Sequence, residues 1–169
     1  MNKDFEKILL ARINQMAEFR KPIASNPDSH FKVYLQATIL NEFNYLEFTL
    51  ISPVQIKTMG GCKLTFKSTD SEFVLKSESD IISSDYSRGS KIGITLVDTD
   101  LDKEFGAFVK SNVITSIQLH CKAGQIFKKT VSVSYTDIDM KVFISSLVPK
   151  QAEATGQGVS AGGGSSMGI

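Results

Sequence analysis

The stretch Phe31-Lys32-Val33-Tyr34-Leu35-Gln36-Ala37-Thr38-Ile39-Leu40, answered by Tyr45-Leu46-Glu47-Phe48-Thr49-Leu50, decides the fold. In the first segment Phe31, Val33, Leu35, Ala37 and Ile39 alternate with Lys32, Tyr34, Gln36, Thr38 and Leu40. That is the period of a strand with one face on a core and the other mainly solvated. In the second, Leu46, Phe48 and Leu50 alternate with Tyr45, Glu47 and Thr49. With the turn at 41–44 between them, the two pair most simply as an antiparallel hairpin over one core, ended by Pro53.

Toward the N-terminus, Phe5, Ile8, Leu9, Ile13, Met16 and Phe19 recur at the three-and-four spacing of an amphipathic helix over 4–20. Pro22 and Pro27, with Ser25, Asn26, Asp28 and Ser29, then break the pattern and predict a loop. Toward the C-terminus, Val54 and Ile56 suggest a short edge segment and Gly60-Gly61 a turn. A second hairpin follows, with Leu64 and Phe66 on its first strand and Phe73 and Leu75 on its return. The Ser- and Asp-rich segment 77–90 reads as a long surface loop, whose site-like charged residues are Asp80, Asp85 and Arg88.

Ile92, Ile94 and Leu96 predict another strand, and Thr99 or Asp100 can cap a helix carrying Leu101, Phe105, Phe108 and Val109. Val113 to Cys121 and Ile126 to Tyr135 alternate as a third hairpin around Lys122-Ala123-Gly124-Gln125. Thr136 with Asp139 approximates a capping box for a last helix with Ile138, Val142, Phe143 and Leu147. The fold class is therefore α+β: a mainly antiparallel sheet of about seven strands with an N-terminal helix, one inserted helix and a C-terminal helix. One domain is expected over 1–148. From Gly156 to Ile169 six of fourteen residues are Gly, too little apolar surface to offset ordering, so 149–169 reads as a flexible tail.

At 169 residues, 41% hydrophobic and 22% charged, the composition is that of a globular chain with room for a real core. A formal net charge of +1 gives no long-range pull on phosphate backbones or anionic lipid, so neither nucleic acid nor a membrane is expected as partner. The opening Met1-Asn2-Lys3-Asp4-Phe5-Glu6 forms no continuous apolar core, which predicts a cytoplasmic protein. There Cys62 and Cys121, too few for a disulfide framework, are expected as buried thiols.

No stretch carries a catalytic, cofactor or metal signature. His30 and His120 are the only histidines and stand far from any second close-spaced ligand, which argues against zinc. Asp28 near His30 is the one local carboxylate–imidazole pair, and no Gly-x-Ser-x-Gly frames a nucleophile. His120 should project from a solvated strand face. Asp98, Asp100 and Asp102 open like a calcium loop, but Lys103 and Val109 stand where its glycine and glutamate belong, so helix capping explains them better. Gly60-Gly61 lacks the Gly-Lys-Ser/Thr of a phosphate loop. Lys57, Lys63, Lys67 and Lys76 share a face, but alternation turns Phe66 and Phe73 away from it. Met167 and Ile169 at the tip of the tail could be captured by a partner.

The order helix, several strands, helix, two strands, helix resembles the small α/β fold of type III secretion chaperones, in which a curved sheet backed by helices dimerises. From Lys91 to Leu147, with Thr115-Ser116-Ile117-Gln118-Leu119 and Gly124-Gln125-Ile126 at its centre, the chain also looks like uncharacterised small β-rich bacterial proteins. The resemblance implies a non-enzymatic protein-binding or assembly module, with a protein partner or self-association through a sheet face or edge. The competing expectation is a small-ligand or enzymatic domain with a pocket near 77–90, which would gather His120, Asp85 or Arg88.

Overall fold

In the computed structural model, which describes residues 3–26, 31–41, 43–56, 62–77, 83–123 and 129–151, the alternating segments form strands of two sheets. The order is α1 (Lys3–Phe19), β1 (Ala24–Ser25), β2 (Lys32–Leu40), β3 (Phe43–Ser52), β4 (Cys62–Lys67), β5 (Glu72–Lys76), β6 (Ser83–Ser87) and β7 (Ile92–Asp100). There follow α2 (Lys103–Ser111), β8 (Ser116–Ala123), β9 (Lys129–Tyr135), β10 (Asp137–Ile138), α3 (Met140–Ser146) and β11 (Lys150–Gln151). The larger sheet runs β10-β1-β2-β3-β7-β6, with β11 added in parallel to β2; the smaller runs β5-β4-β8-β9. Every pairing except β11 with β2 is antiparallel, so the class is α+β as expected.

The β2–β3 hairpin pairs Lys32 with Ile51 through Leu40 with Phe43, and Asn41 takes φ 49° in its tight turn, a conformation Asn tolerates. Alternation then divides the larger sheet. Val33, Leu35 and Ala37 of β2, Leu46, Phe48 and Leu50 of β3, and Val97 of β7 join the main core. Tyr34, Ile51 and Ile94 turn to the opposite face, where Leu9 of α1 covers them with Phe5, Ile13 and Met16. The helical stripe is narrower than its spacing implies: Ile8 and Phe19 are 60% and 74% exposed.

The smaller sheet closes the main core from the other side with Leu64, Phe66, Leu75, Ile117, Leu119, Val133 and Tyr135. Phe66 lies at the centre, with ring centroids 5.7 Å from Phe48, 4.7 Å from Phe105 of α2 and 5.8 Å from Phe143 of α3. One aromatic cluster thus ties both sheets to both short helices, each ring pair adding about 0.5–1.5 kcal/mol beyond its buried area. The Tyr135 hydroxyl adds a polar tie by donating to the Ile51 carbonyl at 3.1 Å.

Six expectations are corrected. Cys62 and Cys121 are register partners on β4 and β8 with Cα atoms 4.5 Å apart, and their sulfurs form a disulfide instead of remaining thiols. That spacing, usual for a non-hydrogen-bonded antiparallel pair, falls within disulfide reach. Within the expected 77–90 loop, 83–87 is strand β6, because the polar Ser83, Ser84 and Asp85 suit an edge position beside β7. β7 runs on to Asp100, so the cap of α2 is Asp102, whose carboxylate accepts from the Glu104 N–H at 2.7 Å. The cap of α3 is Asp139, accepting from the Val142 N–H at 3.0 Å, rather than Thr136. Val54 and Ile56 form no strand. The tail expected from 149 begins with Lys150 and Gln151 paired to Thr38 and Ile39, and residues 152–169 lie outside the described residues.

Candidate functional site

Among the described residues, Asp85, Arg88 and His120, expected around one pocket, are not brought together. Asp28, His30, Lys57, Gly60, Gly61, Asp80, Met167 and Ile169 lie outside the described residues. Asp85 on β6 forms an ion pair with Arg12 of α1, and Arg88 is exposed in the turn after β6. His120 is exposed on the outer face of the smaller sheet, opposite Lys63 and Ser132. Lys63, Lys67 and Lys76 share that solvated face, while Phe66 points into the core. Asp102 is occupied as a cap, and no group of three or more metal-ligating side chains occurs among the described residues. No helix among the described residues is long and apolar enough to cross a membrane.

A different place gathers unusual features. β1 pairs with β2 only at Lys32 and Val33, and β11 pairs with it only at Thr38 and Ile39. Residues 34–37 of β2 therefore have no strand partner on that side among the described residues. The Ile23 N–H donates to the Val33 carbonyl at 2.8 Å, so Val33 directs its backbone groups toward β1. The period of two then aims the backbone groups of Leu35 and Ala37 at the same, open edge. Unpaired strand edges are templates for another strand.

That edge is the floor of a groove of about 400 Å³. One wall is the end of α1 with Phe19, Arg20 and Lys21; the other is α3 and its exit, with Val142, Ser145 and Val148. Phe19 and Val148, 74% and 67% exposed, stand on its two sides. The chain makes this shape because Asp139 starts α3 beside β1 and Phe143 and Leu147 anchor it in the core. α3 thus runs past the gap, from β10 to β11, without filling it.

Charge is concentrated at Arg20. Its Nη1 is buried without a hydrogen-bond partner among the described residues, and its Nη2 stands 3.9 Å from Glu47 Oε1, too far for a hydrogen bond. The Tyr34 hydroxyl is likewise buried and unpartnered, its pKa raised by burial against the lowering field of Arg20. On the α1 side of the sheet a second cleft of about 360 Å³ brings Arg12, Gln15 and Arg20 to Glu47 and Thr49. Glu47 is the cross-strand partner of Asp98. Partial burial, and then the Asp98 carboxylate, raise Glu47 above the usual carboxylate range against the pull of Arg20; desolvation raises Asp98 as well.

None of this was visible as a motif. The usable signal was Phe19-Arg20-Lys21 directly before Pro22, an apolar and basic triplet where the helix must stop. No family model matches the chain, and neither a curated protein nor a solved structure does.

Proposed function

We propose that this chain is a non-enzymatic protein-binding or assembly module, chaperone-like in holding an extended segment of another chain against the open edge of β2. The observation that carries this reading is the four-residue gap at 34–37, bounded by β1 and β11 and walled by α1 and α3. Backbone pairing supplies affinity in strand addition, and pockets for alternate side chains supply selectivity. The outer face of the smaller sheet is mainly polar among the described residues, with Val74 its exposed apolar side chain, and the described residues lining the two clefts bring no imidazole or thiol to a hydroxyl.

The paired cysteines favour an oxidising setting over the cytoplasm that the N-terminal sequence suggested. A small-ligand reading is also supported by one observation, the convergence of Arg12, Gln15, Arg20 and a raised Glu47 under α1, away from the 77–90 segment.

The test is affinity purification of the tagged chain beside its Val148→Asp variant, with amide hydrogen exchange on each recovered complex. Val148 is exposed, so the substitution should stay within about 0.5 kcal/mol of the parent in stability. Partners that protect the Leu35 and Ala37 amides and are lost from Val148→Asp support strand addition. Partners that leave those amides exchanging freely refute it.

A further inference from the structure

We infer that the partner segment at the open edge of β2 is acidic on one side and apolar on the other, an alternation of Asp or Glu with Val, Ile or Leu over about four residues. This rests on the edge reading and specifies its ligand. A strand laid beside Leu35–Ala37 presents successive side chains to opposite faces of the larger sheet. Gln36 faces α1, so one set meets the wall of Arg20 and Lys21; Leu35 and Ala37 face the core, so the other set meets Val142 and Val148.

Among the described residues, the lining of the groove holds two cations and no carboxylate. Arg20 Nη1 is a buried donor without a partner among the described residues, and Glu47 stands 3.9 Å from the neighbouring nitrogen, beyond hydrogen-bond distance. A carboxylate from the incoming strand would supply the charge-assisted hydrogen bond that Glu47 does not make. A second copy is the poorer occupant. Two β2 edges related by a twofold axis continue one sheet, which sets the Arg20 and Lys21 walls of both copies on the same face, where like charges repel.

The experiment begins with a displayed library of random octapeptides selected on the purified full chain. One enriched peptide is then titrated as a fluorescent probe, alongside light scattering of the chain alone. Enrichment of alternating acidic and apolar residues is expected. Replacing the probe's acidic residue by its amide should weaken binding roughly tenfold, and Arg20→Met should do the same. Glu47→Gln frees the guanidinium and should tighten the acidic probe severalfold while leaving the amide probe unchanged, a gain that misfolding cannot mimic.

Alternating peptides without acidic residues, indifferent to Glu47→Gln, overturn the charge inference and leave the edge reading standing. A folded chain that enriches nothing, or peptides that leave the Leu35 and Ala37 amides unprotected, overturn both. A dimer with those amides protected puts a second copy at the edge and overturns the acidic partner.

Discussion

Reducing the Cys62–Cys121 bond should cost this chain a large part of its stability without changing its folded contacts. The two cysteines are separated by 59 positions, and in the chain-entropy account a closed loop of that size restricts the unfolded state by about 4 kcal/mol at 25 °C. Domains are stable by only about 5–15 kcal/mol. The register already holds the two Cα atoms 4.5 Å apart between β4 and β8, so little backbone motion separates the oxidised and reduced folded states. The assay is urea unfolding of one preparation with and without reductant, with mass spectrometry confirming the thiol state. For a chain of this length, about 4 kcal/mol corresponds to a fall of about 8–16 °C in Tm. The unfolding slope should also rise on reduction, because the uncrosslinked denatured state exposes more surface. Coincident midpoints, or a mass showing two thiols in the non-reduced protein, would refute the reasoning.

Three further outcomes follow from single side chains. Tyr135→Phe removes the buried donor to the Ile51 carbonyl and should destabilise by about 0.5–1.5 kcal/mol in urea unfolding; an unchanged midpoint would contradict the tie between the sheets. Asp98 has a folded-state pKa raised above its ordinary value, so its ionised form opposes folding above the carboxylate range and the opposition vanishes once both states are protonated. Asp98→Asn should therefore raise the unfolding free energy from urea titration at pH 7 by about a few tenths of a kcal/mol, screened by solvent, and lose that gain near pH 3; a gain that survives at pH 3 would show another cause. Gly106→Ala and Gly93→Ala should move in opposite directions. A Cβ at Gly106 meets nothing within 4 Å inside α2 and should stabilise by about 0.5–1 kcal/mol. One at Gly93 meets Tyr86 Cδ1 at 3.1 Å and the Val54 and Asp85 carbonyls at 3.2 and 3.3 Å, and overpacking there should cost about 1–3 kcal/mol.

What the sequence disclosed was whatever period and local chemistry dictate. The β2–β3, β4–β5 and β8–β9 hairpins follow from alternation between near neighbours, and the three helices from apolar spacing. Long-range register was beyond its reach. Cys62 and Cys121 meet because β8 returns to pair with β4 after the chain has built β6, β7 and α2, and no window of sequence contains both strands. β6 was hidden for the opposite reason: an edge strand with Ser83, Ser84 and Asp85 has no apolar alternation to reveal it, and its order comes from β7. The caps were missed by two or three residues because Asp98, Thr99, Asp100 and Asp102 all suit a helix start, and only the length of β7 chooses among them.

The groove was illegible because it is a property of three elements' ends. Nothing in Tyr34-Leu35-Gln36-Ala37 marks an open edge; what opens it is that β1 is two residues long and β11 begins five positions past the last β1 contact, at Thr38. A fold that only needed to protect this edge has simpler means, such as a lysine or proline at the outward positions or a longer β1. This chain instead spans the gap with α3, whose Phe143 and Leu147 are committed to the core and whose Val142 and Ser145 are left facing the groove. On the opposite wall Phe19 stays exposed next in sequence to Arg20, whose Nη1 is buried without a partner among the described residues. Exposed aromatic surface and an unsatisfied buried donor each cost stability, and both belong to the wall beside which a further strand segment would lie. Selection for stability alone removes such features, so their coincidence at one edge is the physical ground for assigning that edge to a partner.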